Sequence, residues 1–331
     1  MSEHKRKRIT AADVARQAGV SRSAVSRAFT EGSYLDPAKR EAILRAAAEL
    51  GYRPNALAAG LQGGQSNLVA IFVGDLPNEL DKEAVAALVA GLNGIGKWPI
   101  VIGGSGQAAR DAVSNVLCYP LAAMVLRSGS LDGDIVDACG KLNVPVISMG
   151  RVVEAPGVDN VCVRNRDGMA RGTALLIGKG RREFGFIGGP ERFCSSGARR
   201  QGMRDELEKA GIALRAEDRG DYTVSGGYEA AMRLLDGPRL DALICANDAM
   251  AIGALSALKE KGLEAPRDLS VIGFDDIPMA GWPIFDLTTL RNPIDDLVAA
   301  MLDLLTRRIE TPDKPDETIL LDAELILRGT H

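Results

Sequence analysis

In the first 50 residues, apolar side chains recur every three to four positions, which is the spacing of an amphipathic helix. This pattern predicts three short helices around a small shared core. The residues predicted to face that core are Val14, Ala15, Ala18, Val25, Phe29, Ile43, Leu44, Ala47 and Leu50. Thr10 and Ser21 favour helix starts, whereas Gly19 favours the end of the first helix. The segment is therefore predicted to be an all-α helix-turn-helix unit.

The second predicted helix carries a polar face that suits contact with DNA. Units of this kind place their second helix in the major groove. Arg22 and Ser23 lie at the amino-terminal end that reaches base edges, and arginine is well shaped to grip guanine. The alternative is that these are solvated side chains of a small helical domain. The residues assigned to DNA contact here are Thr10, Ser21, Arg22, Ser23, Ser26 and Arg27.

Charge separates this segment from the rest of the chain. Residues 1–62 carry 11 Lys and Arg against 6 Asp and Glu, a net charge of +5. The remaining residues carry 29 against 38, a net of −9, and both parts together give the formal net charge of −4. A basic segment on an acidic body favours contact with DNA phosphates through the basic segment alone.

From Leu68 onward, short apolar runs alternate with amphipathic helical stretches, which is typical of βαβ units and a parallel sheet. The predicted strands are Leu68–Val73, Pro99–Gly103, Ala122–Leu126, Val144–Met149, Phe184–Ile187, Ala242–Cys245 and Leu269–Phe274. Residues 67–331 form a stretch too long for one such core and about right for two. The fold class is therefore α/β, with a helical head and two parallel-sheet lobes.

Polar residues follow several of the predicted strands, and parallel sheets bind ligands outside the carboxyl ends of their strands. The residues in this position are Arg127, Arg151, Asn247 and Asp275. The alternative for each is a helix cap or a surface charge. Asp248 in particular is predicted to cap the helix that begins near Ala249. Trp282 follows Asp275 closely enough to supply an apolar wall for a ligand.

At this point the chain resembles the lactose-repressor (LacI) family of bacterial transcription regulators. The matching segments are Asp13-Val14-Ala15, Ala18-Gly19-Val20-Ser21, Val25-Ser26-Arg27, Gly51-Tyr52-Arg53-Pro54-Asn55, Ala58, Leu61, Pro145-Val146, Asn247-Asp248, Gly273-Phe274-Asp275-Asp276, Leu287-Thr288-Thr289 and Leu327-Arg328-Gly329. They occur in family order and run nearly from end to end, which is far more specific than any single motif.

The resemblance implies a homodimer bound to palindromic double-stranded operator DNA. It implies a helix-turn-helix domain at 1–53, a hinge helix and linker at 54–66, and an effector-binding and dimerisation domain at 67–331. Asn55, Ala58 and Leu61 would then contact DNA, with Leu61 wedged into the minor groove. The alternative for 55–61 is an ordinary linker. The two lobes, which resemble periplasmic binding proteins, would comprise about 67–163 with 292–318, and 164–291 with 319–331.

By family position, Arg199, Asn247 and Asp275 form the effector-binding set, with Ser195 near it; Arg127, Arg151 and Trp282 are further candidates. The expected effector is a sugar, a sugar acid or a phosphorylated sugar, and the several arginines near the cleft favour an anionic one, a sugar acid or phosphorylated sugar. The arginines could instead pair with Asp159, Asp167 or Glu154 and contact no ligand. A regulator with a non-sugar corepressor, and an architectural DNA binder with a vestigial cleft, remain alternatives.

The composition argues against an enzyme. The two histidines, His4 and His331, lie at the termini, which disfavours histidine-based acid–base catalysis and histidine metal sites. The five cysteines show no metal-binding spacing and fit a reducing compartment with buried thiols. No cofactor, metal or catalytic residue is predicted. No signal peptide or membrane span is recognisable, so we expect a cytoplasmic protein without a membrane partner.

Overall fold

Three helices form the amino-terminal part of the chain: α1 (Ala11–Ala18), α2 (Arg22–Ala28) and α3 (Pro37–Leu50). They belong to a computed structural model that describes residues 9–30, 32–54, 66–74, 79–127 and 133–331. The chain divides into two compact units, residues 1–66 and residues 67–331. The predicted hinge segment at 55–61 lies outside the described residues.

Local side-chain contacts begin and end these helices as the sequence predicts. The Asp13 carboxylate accepts hydrogen bonds from the Thr10 N–H and hydroxyl at 2.9 and 2.7 Å. The Ser21 hydroxyl accepts from the Ala24 N–H at the start of α2. Gly19 has a φ of 66°, the left-handed conformation that ends α1 at low cost. The helix-turn-helix prediction is confirmed.

Two of the residues predicted to face the helical core are exposed instead. Phe29 is 36% exposed because it follows the last turn of α2, where its ring meets Tyr52 edge-on at 5.9 Å. Leu44 is 42% exposed, since the next residue along a helix points about 100° away from Ile43. Among the described residues, alanine supplies five of the eight buried side chains of this core.

The second unit contains a six-stranded parallel sheet, ordered β11-β5-β4-β3-β1-β2. Its elements are β1 (Leu68–Gly74), α4 (Glu79–Gly94), β2 (Trp98–Gly103), α5 (Gly106–Val116), β3 (Ala123–Arg127), α6 (Gly133–Lys141), β4 (Val146–Met149), β5 (Val158–Val163), and later α11 (Ile294–Glu310) and β11 (Thr318–Leu321). The inner strands β1, β3, β4 and β5 are almost wholly buried, as expected for a sheet covered by helices.

A second parallel sheet, ordered β7-β6-β8-β9, forms the other lobe. Its elements are α7 (Asn165–Gly178), β6 (Phe184–Gly188), α8 (Cys194–Lys209), β7 (Leu214–Arg219), α9 (Val224–Leu235), β8 (Ala242–Cys245), α10 (Asp248–Glu260) and β9 (Ser270–Ile272). A short 3₁₀ helix (Pro278–Gly281) follows, and β10 (Thr289–Arg291) pairs antiparallel with β12 (Glu324–Ile326). The two-lobed α/β prediction is confirmed.

The chain crosses between the lobes after β5, after β10 and after β11. The sequence analysis assigned residues 319–321 to the second lobe. They belong to the first lobe instead, because their strand β11 pairs with β5. The seven predicted strands are present with ends shifted by a few residues. The sequence analysis did not predict strands β5, β7, β10, β11 and β12. Strand β7, Leu-Arg-Ala-Glu-Asp-Arg, lacks an apolar run because it is charged and lies at the edge of its sheet.

Helices α9 and α10 approach each other closely through glycine. A Cβ added to Gly253 on α10 would lie 2.1 Å from the carbonyl oxygen of Val224 on α9. A Cβ on Gly227 of α9 would lie 2.3 Å from the Cα of Met250. These contacts hold the two helices backbone to backbone on one face of the second sheet.

Candidate functional site

The polar face of α2 is presented to solvent. Arg22, Ser23, Ser26 and Arg27 are all exposed. The Arg27 Nε–H donates to the Ser23 carbonyl oxygen at a long 3.4 Å, which leaves the rest of the guanidinium for a partner. This face combines cationic and hydroxyl donors, which suits base edges and phosphates.

Other residues of the helical unit support this face. Arg40 of α3 donates to the Ala28 carbonyl oxygen at 2.8 Å and to the Ser33 carbonyl oxygen at 2.7 Å. These bonds fix the carboxyl end of α2 and the following turn. Among the other predicted DNA-contacting residues, Thr10 and Ser21 are exposed but serve as helix caps. Asn55, Ala58 and Leu61 lie outside the described residues.

A cavity of about 90 Å³ lies between the two lobes, at the carboxyl ends of their strands. One water molecule needs roughly 10–15 Å³, so the cavity has room for more than isolated solvent. It is lined by Leu80, Asp81, Ala84, Arg127, Met149, Gly150, Val163, Asn165, Phe193, Ser195, Arg199, Tyr222, Asp275, Asn292, Ile294 and Leu297. Arg127, Ser195, Arg199 and Asp275 are the sequence-predicted residues that meet here.

The second lobe contributes a buried ion pair to this cavity. Arg199 Nη2 lies 3.0 Å from Asp275 Oδ1, and both side chains are almost inaccessible. The Arg199 Nε–H donates to Asn165 Oδ1 at 2.8 Å, and Nη1 donates to the Ala246 carbonyl oxygen at 2.7 Å. The guanidinium also stacks on Phe274, with 3.7 Å between its central carbon and the ring centroid. Arg199 is therefore fixed in place on every side.

Burial raises the pKa of the Asp275 carboxyl to about 6, even though Arg199 acts to lower it. The nearby Asp81 carboxylate, from the first lobe, adds to the rise. Asp248 is fully buried next to Asp275, and burial raises its pKa to about 7. Thr289 and the Ile277 N–H hydrogen-bond its two oxygens. The second lobe thus holds two neighbouring buried acids.

The first lobe contributes a matching ion pair. Arg127, at the end of β3, donates from Nη2 to Asp81 Oδ1 of α4 at 2.7 Å, and both side chains are mostly buried. The described wall of the cavity therefore contains two arginines and two aspartates, each arginine paired within its own lobe. Its net charge is close to zero, and carboxylates from the two lobes approach each other.

An aromatic wall completes the cavity. The rings of Phe193 and Tyr222 lie 5.3 Å apart at 51°, and the Tyr222 hydroxyl oxygen is 3.5 Å from the Ser195 hydroxyl oxygen. Gly189 leaves the space for Tyr222, since a Cβ there would lie 2.2 Å from the ring. Burial raises the pKa of the Tyr222 phenol, so it stays protonated as a hydrogen-bond donor. Sequence patterns missed both rings, because each lies on a loop.

Several predicted residues lie elsewhere. Trp282 is 53% exposed and does not line the cavity; the aromatic wall comes from the opposite loops instead. Arg151 is half-buried and also lies outside the lining residues. Asn247, not Asp248, caps α10: its Oδ1 accepts from the Met250 N–H at 3.0 Å, and its Nδ2 donates to the Tyr222 carbonyl oxygen. The prediction of Asp248 as the cap is wrong.

The cleft arginines do not pair with the acids that the sequence analysis offered as alternative partners. Asp159 pairs with Arg308 and Lys314, each at 2.9 Å, and neither of these side chains lines the cavity. Arg164 pairs with Asp322 at 3.5 Å on the surface. The arginines that do line the cleft are paired, but with Asp81 and Asp275.

A helix-turn-helix unit followed by two parallel-sheet lobes around a cleft defines a class of proteins, the ligand-controlled DNA-binding regulators. Residues 10–55 match the family model of the bacterial regulatory proteins of the lacI family, and residues 173–331 match the periplasmic binding protein-like domain. The chain belongs to the lacI family and is a DNA-binding transcriptional regulator. The expectation that it is not an enzyme is confirmed by this membership.

Individual relatives cover most of the chain. The HTH-type transcriptional regulator GalS of Salmonella typhimurium is 34% identical over 89% of this chain and 88% of its own length. The lac repressor dimer bound to operator and the anti-inducer ONPF has a TM-score of 0.89 at 29% identity, covering 98% of this chain and 99% of that one. The transcriptional regulator CelR in complex with cellobiose has a TM-score of 0.75 at 28% identity, covering 98% and 100%.

The described ranges contain neither a membrane-spanning helix nor a metal-binding cluster of side chains. No helix there is both long and apolar enough to span a membrane. No cluster of three or more His, Cys, Asp or Glu side chains there is arranged to hold a metal ion.

Proposed function

We propose that this regulator binds palindromic operator DNA as a cytoplasmic homodimer and that an uncharged, hydroxyl-rich sugar in the cleft controls it. The observation that carries the proposal is the composition of the cavity wall: two aspartates, each neutralised by its own arginine, beside two aromatic rings. Such a wall offers strong acceptors and a flat apolar surface without net charge.

The ion pairs favour hydroxyl groups over acids. A sugar hydroxyl can donate to a carboxylate that is already held by an arginine, and such charge-assisted bonds are the stronger kind. A carboxylate or phosphate on the ligand would instead meet Asp81 and Asp275 and would have to break an arginine pair first. The apolar face of a sugar ring packs well on aromatic side chains such as Phe193 and Tyr222. The complex of the relative CelR with cellobiose supports a sugar as the class.

Residues of α2 are proposed to read the operator. Arg22 and Ser23 would contact base edges, and Ser26 and Arg27 would contact bases or phosphates. Thr10 and Ser21, which begin α1 and α2, would place the backbone N–H groups of these helix ends against DNA phosphates. Asn55, Ala58 and Leu61 belong to the proposed hinge helix and linker at 54–66, and they would bind the minor groove. The relative solved as a dimer on operator DNA supports this arrangement.

Calorimetric titration of the purified protein tests the effector class. Neutral sugars, sugar acids and phosphorylated sugars are compared at equal concentrations, and we expect heat only from neutral sugars. Tyr222→Leu and Asp275→Asn should weaken the binding of an active sugar at least tenfold. Trp282→Leu, outside the cavity, is the matched control and should bind normally. Binding of acids or phosphates in preference to neutral sugars would overturn the choice of class.

Selection of genomic DNA fragments tests the operator interface. The unmodified protein should enrich a palindrome whose two half-sites lie about one helical turn or more apart. Arg22→Ala should relax the preference at one base pair of each half-site, by about 1–3 kcal/mol. Uniform weakening across all sequences would assign Arg22 to a phosphate contact instead.

A further inference from the structure

Two cysteine side chains from different lobes contact the same residue at the wall of the cavity. Cys162 lies in β5 of the first lobe, and Cys194 begins α8 in the second. The Cys194 thiol donates to the Gly150 carbonyl oxygen over 3.7 Å. The Gly150 backbone also lies close enough to the Cys162 thiol to act on its pKa, which it lowers against the effect of burial. Both thiols therefore lie next to Gly150, where the lobes meet.

The backbone holds this arrangement in place. The Gly150 N–H donates at 2.9 Å to the carbonyl oxygen of Val161, the residue before Cys162. Gly150 itself lines the cavity, as do Phe193 and Ser195 on both sides of Cys194. A covalent link between the two sulfurs would thus join the lobes directly at the edge of the proposed effector site.

The two thiols differ in their access to solvent, as an attacking and a resolving cysteine do. Cys194 is exposed, whereas Cys162 is only 5% exposed. Burial raises the pKa of the Cys162 thiol to about 11, and the neighbouring Cys194 adds to that rise. Because the thiolate is the nucleophile, a dissolved oxidant meets Cys194 first. Cys139 and Cys245 are buried, and Cys118 is exposed on the turn after α5.

We propose that Cys194 and Cys162 form an oxidation site at which a peroxide produces a disulfide between the two lobes. The Cys194 thiolate attacks one peroxide oxygen, so an S–O bond forms, the O–O bond breaks, and hydroxide leaves to be protonated to water. The Cys162 sulfur, losing its proton, then attacks the Cys194 sulfenic sulfur. The S–S bond forms, the S–O bond breaks, and a second water leaves. Two thiols lose two electrons, and the peroxide is reduced.

The disulfide would act on the movement of the lobes. Closing this link fixes the distance between β5 and α8, whereas a change of effector occupancy requires the lobes to move. The oxidised protein would hold one state of the cleft until a dithiol reductant opens the bond. This inference needs only the two-lobed fold and does not depend on which effector the cleft binds.

The test uses the full chain, reduced, freed of reductant and treated with hydrogen peroxide. Remaining thiols are then alkylated in denaturant and counted by mass spectrometry. We expect the count to fall from five to three per chain, with one peptide pair joined through Cys162 and Cys194 and no covalent dimer. The thermal unfolding midpoint of the oxidised protein should rise and return to its former value after reduction with dithiothreitol.

Three variants separate the proposal from other oxidations. Cys194→Ser, at an exposed position, should keep its four thiols at the same peroxide dose. Cys162→Ala should stop at a Cys194 sulfenic acid that dimedone traps. Cys118→Ser is the matched exposed control and should form the disulfide normally. A disulfide between chains, a Cys194 that oxidises without joining Cys162, or a peroxide-resistant Cys194 would each overturn the proposal.

Discussion

Replacing Arg199 by Met removes the guanidinium that lies 3.0 Å from the buried Asp275 carboxylate. The carboxylate then has to stay charged without its partner or bind a proton. The Ala246 carbonyl oxygen and the Asn165 Oδ1 atom lose their donors as well. Breaking one side of a buried pair costs about 3–5 kcal/mol, and each orphaned acceptor adds roughly 1 kcal/mol or more. We expect Arg199→Met to lower the free energy of unfolding by about 5 kcal/mol or more.

Replacing both partners should cost much less than the sum of the two changes. In Arg199→Met with Asp275→Asn no unpaired charge is left, so we expect a coupling free energy of about 2 kcal/mol or more at pH 7.5. At pH 5 the coupling should shrink, because the Asp275 pKa is already about 6 and rises further without the arginine. The single variant then buries a neutral acid.

Urea unfolding of the four proteins at both pH values measures this cycle. Both tryptophans, Trp98 and Trp282, lie in the unit of residues 67–331, so their fluorescence reports on that unit and not on the helical head. Protein concentration is held constant, because subunit association would also shift the midpoint. Additive effects of the two substitutions at both pH values would refute the assignment of Arg199 as the counter-ion of Asp275.

Three further predictions concern the second unit. An acid whose pKa rises on folding holds its proton more tightly in the native state, so Asp248 should make the protein less stable as the pH rises from 3.8 to about 7. Asp248→Asn should flatten this decline in thermal unfolding midpoints. Gly253→Ala should lower the free energy of unfolding by about 2 kcal/mol or more, because its Cβ would meet the α9 backbone. Arg308→Met should cost about 3–5 kcal/mol in urea unfolding by leaving Asp159 with less charge compensation.

Each of these predictions has its own control. Gly140→Ala, on the open face of α6, has no atom near its added Cβ and should be neutral or slightly stabilising. A Gly253→Ala protein as stable as this control would contradict the close helix contact. A pH profile unchanged by Asp248→Asn would exclude that acid as the titrating group. If Asp159→Asn did not restore part of the stability lost in Arg308→Met, the result would argue against the pairing of Arg308 with Asp159.

Part of the candidate site follows from the position of residues after predicted strands. Arg127 is the last residue of β3 and Asp275 follows β9, and both line the cavity. Asn247 occupies the same kind of position after β8 but turns back to cap α10. The rule finds the edge of the sheet, whereas the first turn of the next helix decides whether a side chain points into the cleft.

The sequence by itself determined the helical head with its caps, the alternation of strands and helices, and the edge of the sheets where polar residues gather. These features depend on residues close together in the chain, whose spacing and capping chemistry can be read directly. Only the tertiary structure decided that Arg127 pairs with Asp81, that Arg199 pairs with Asp275, and that Phe193 and Tyr222 form one wall. These contacts join residues 29 to 76 positions apart, and their geometry depends on sheet order and helix packing that no local pattern contains.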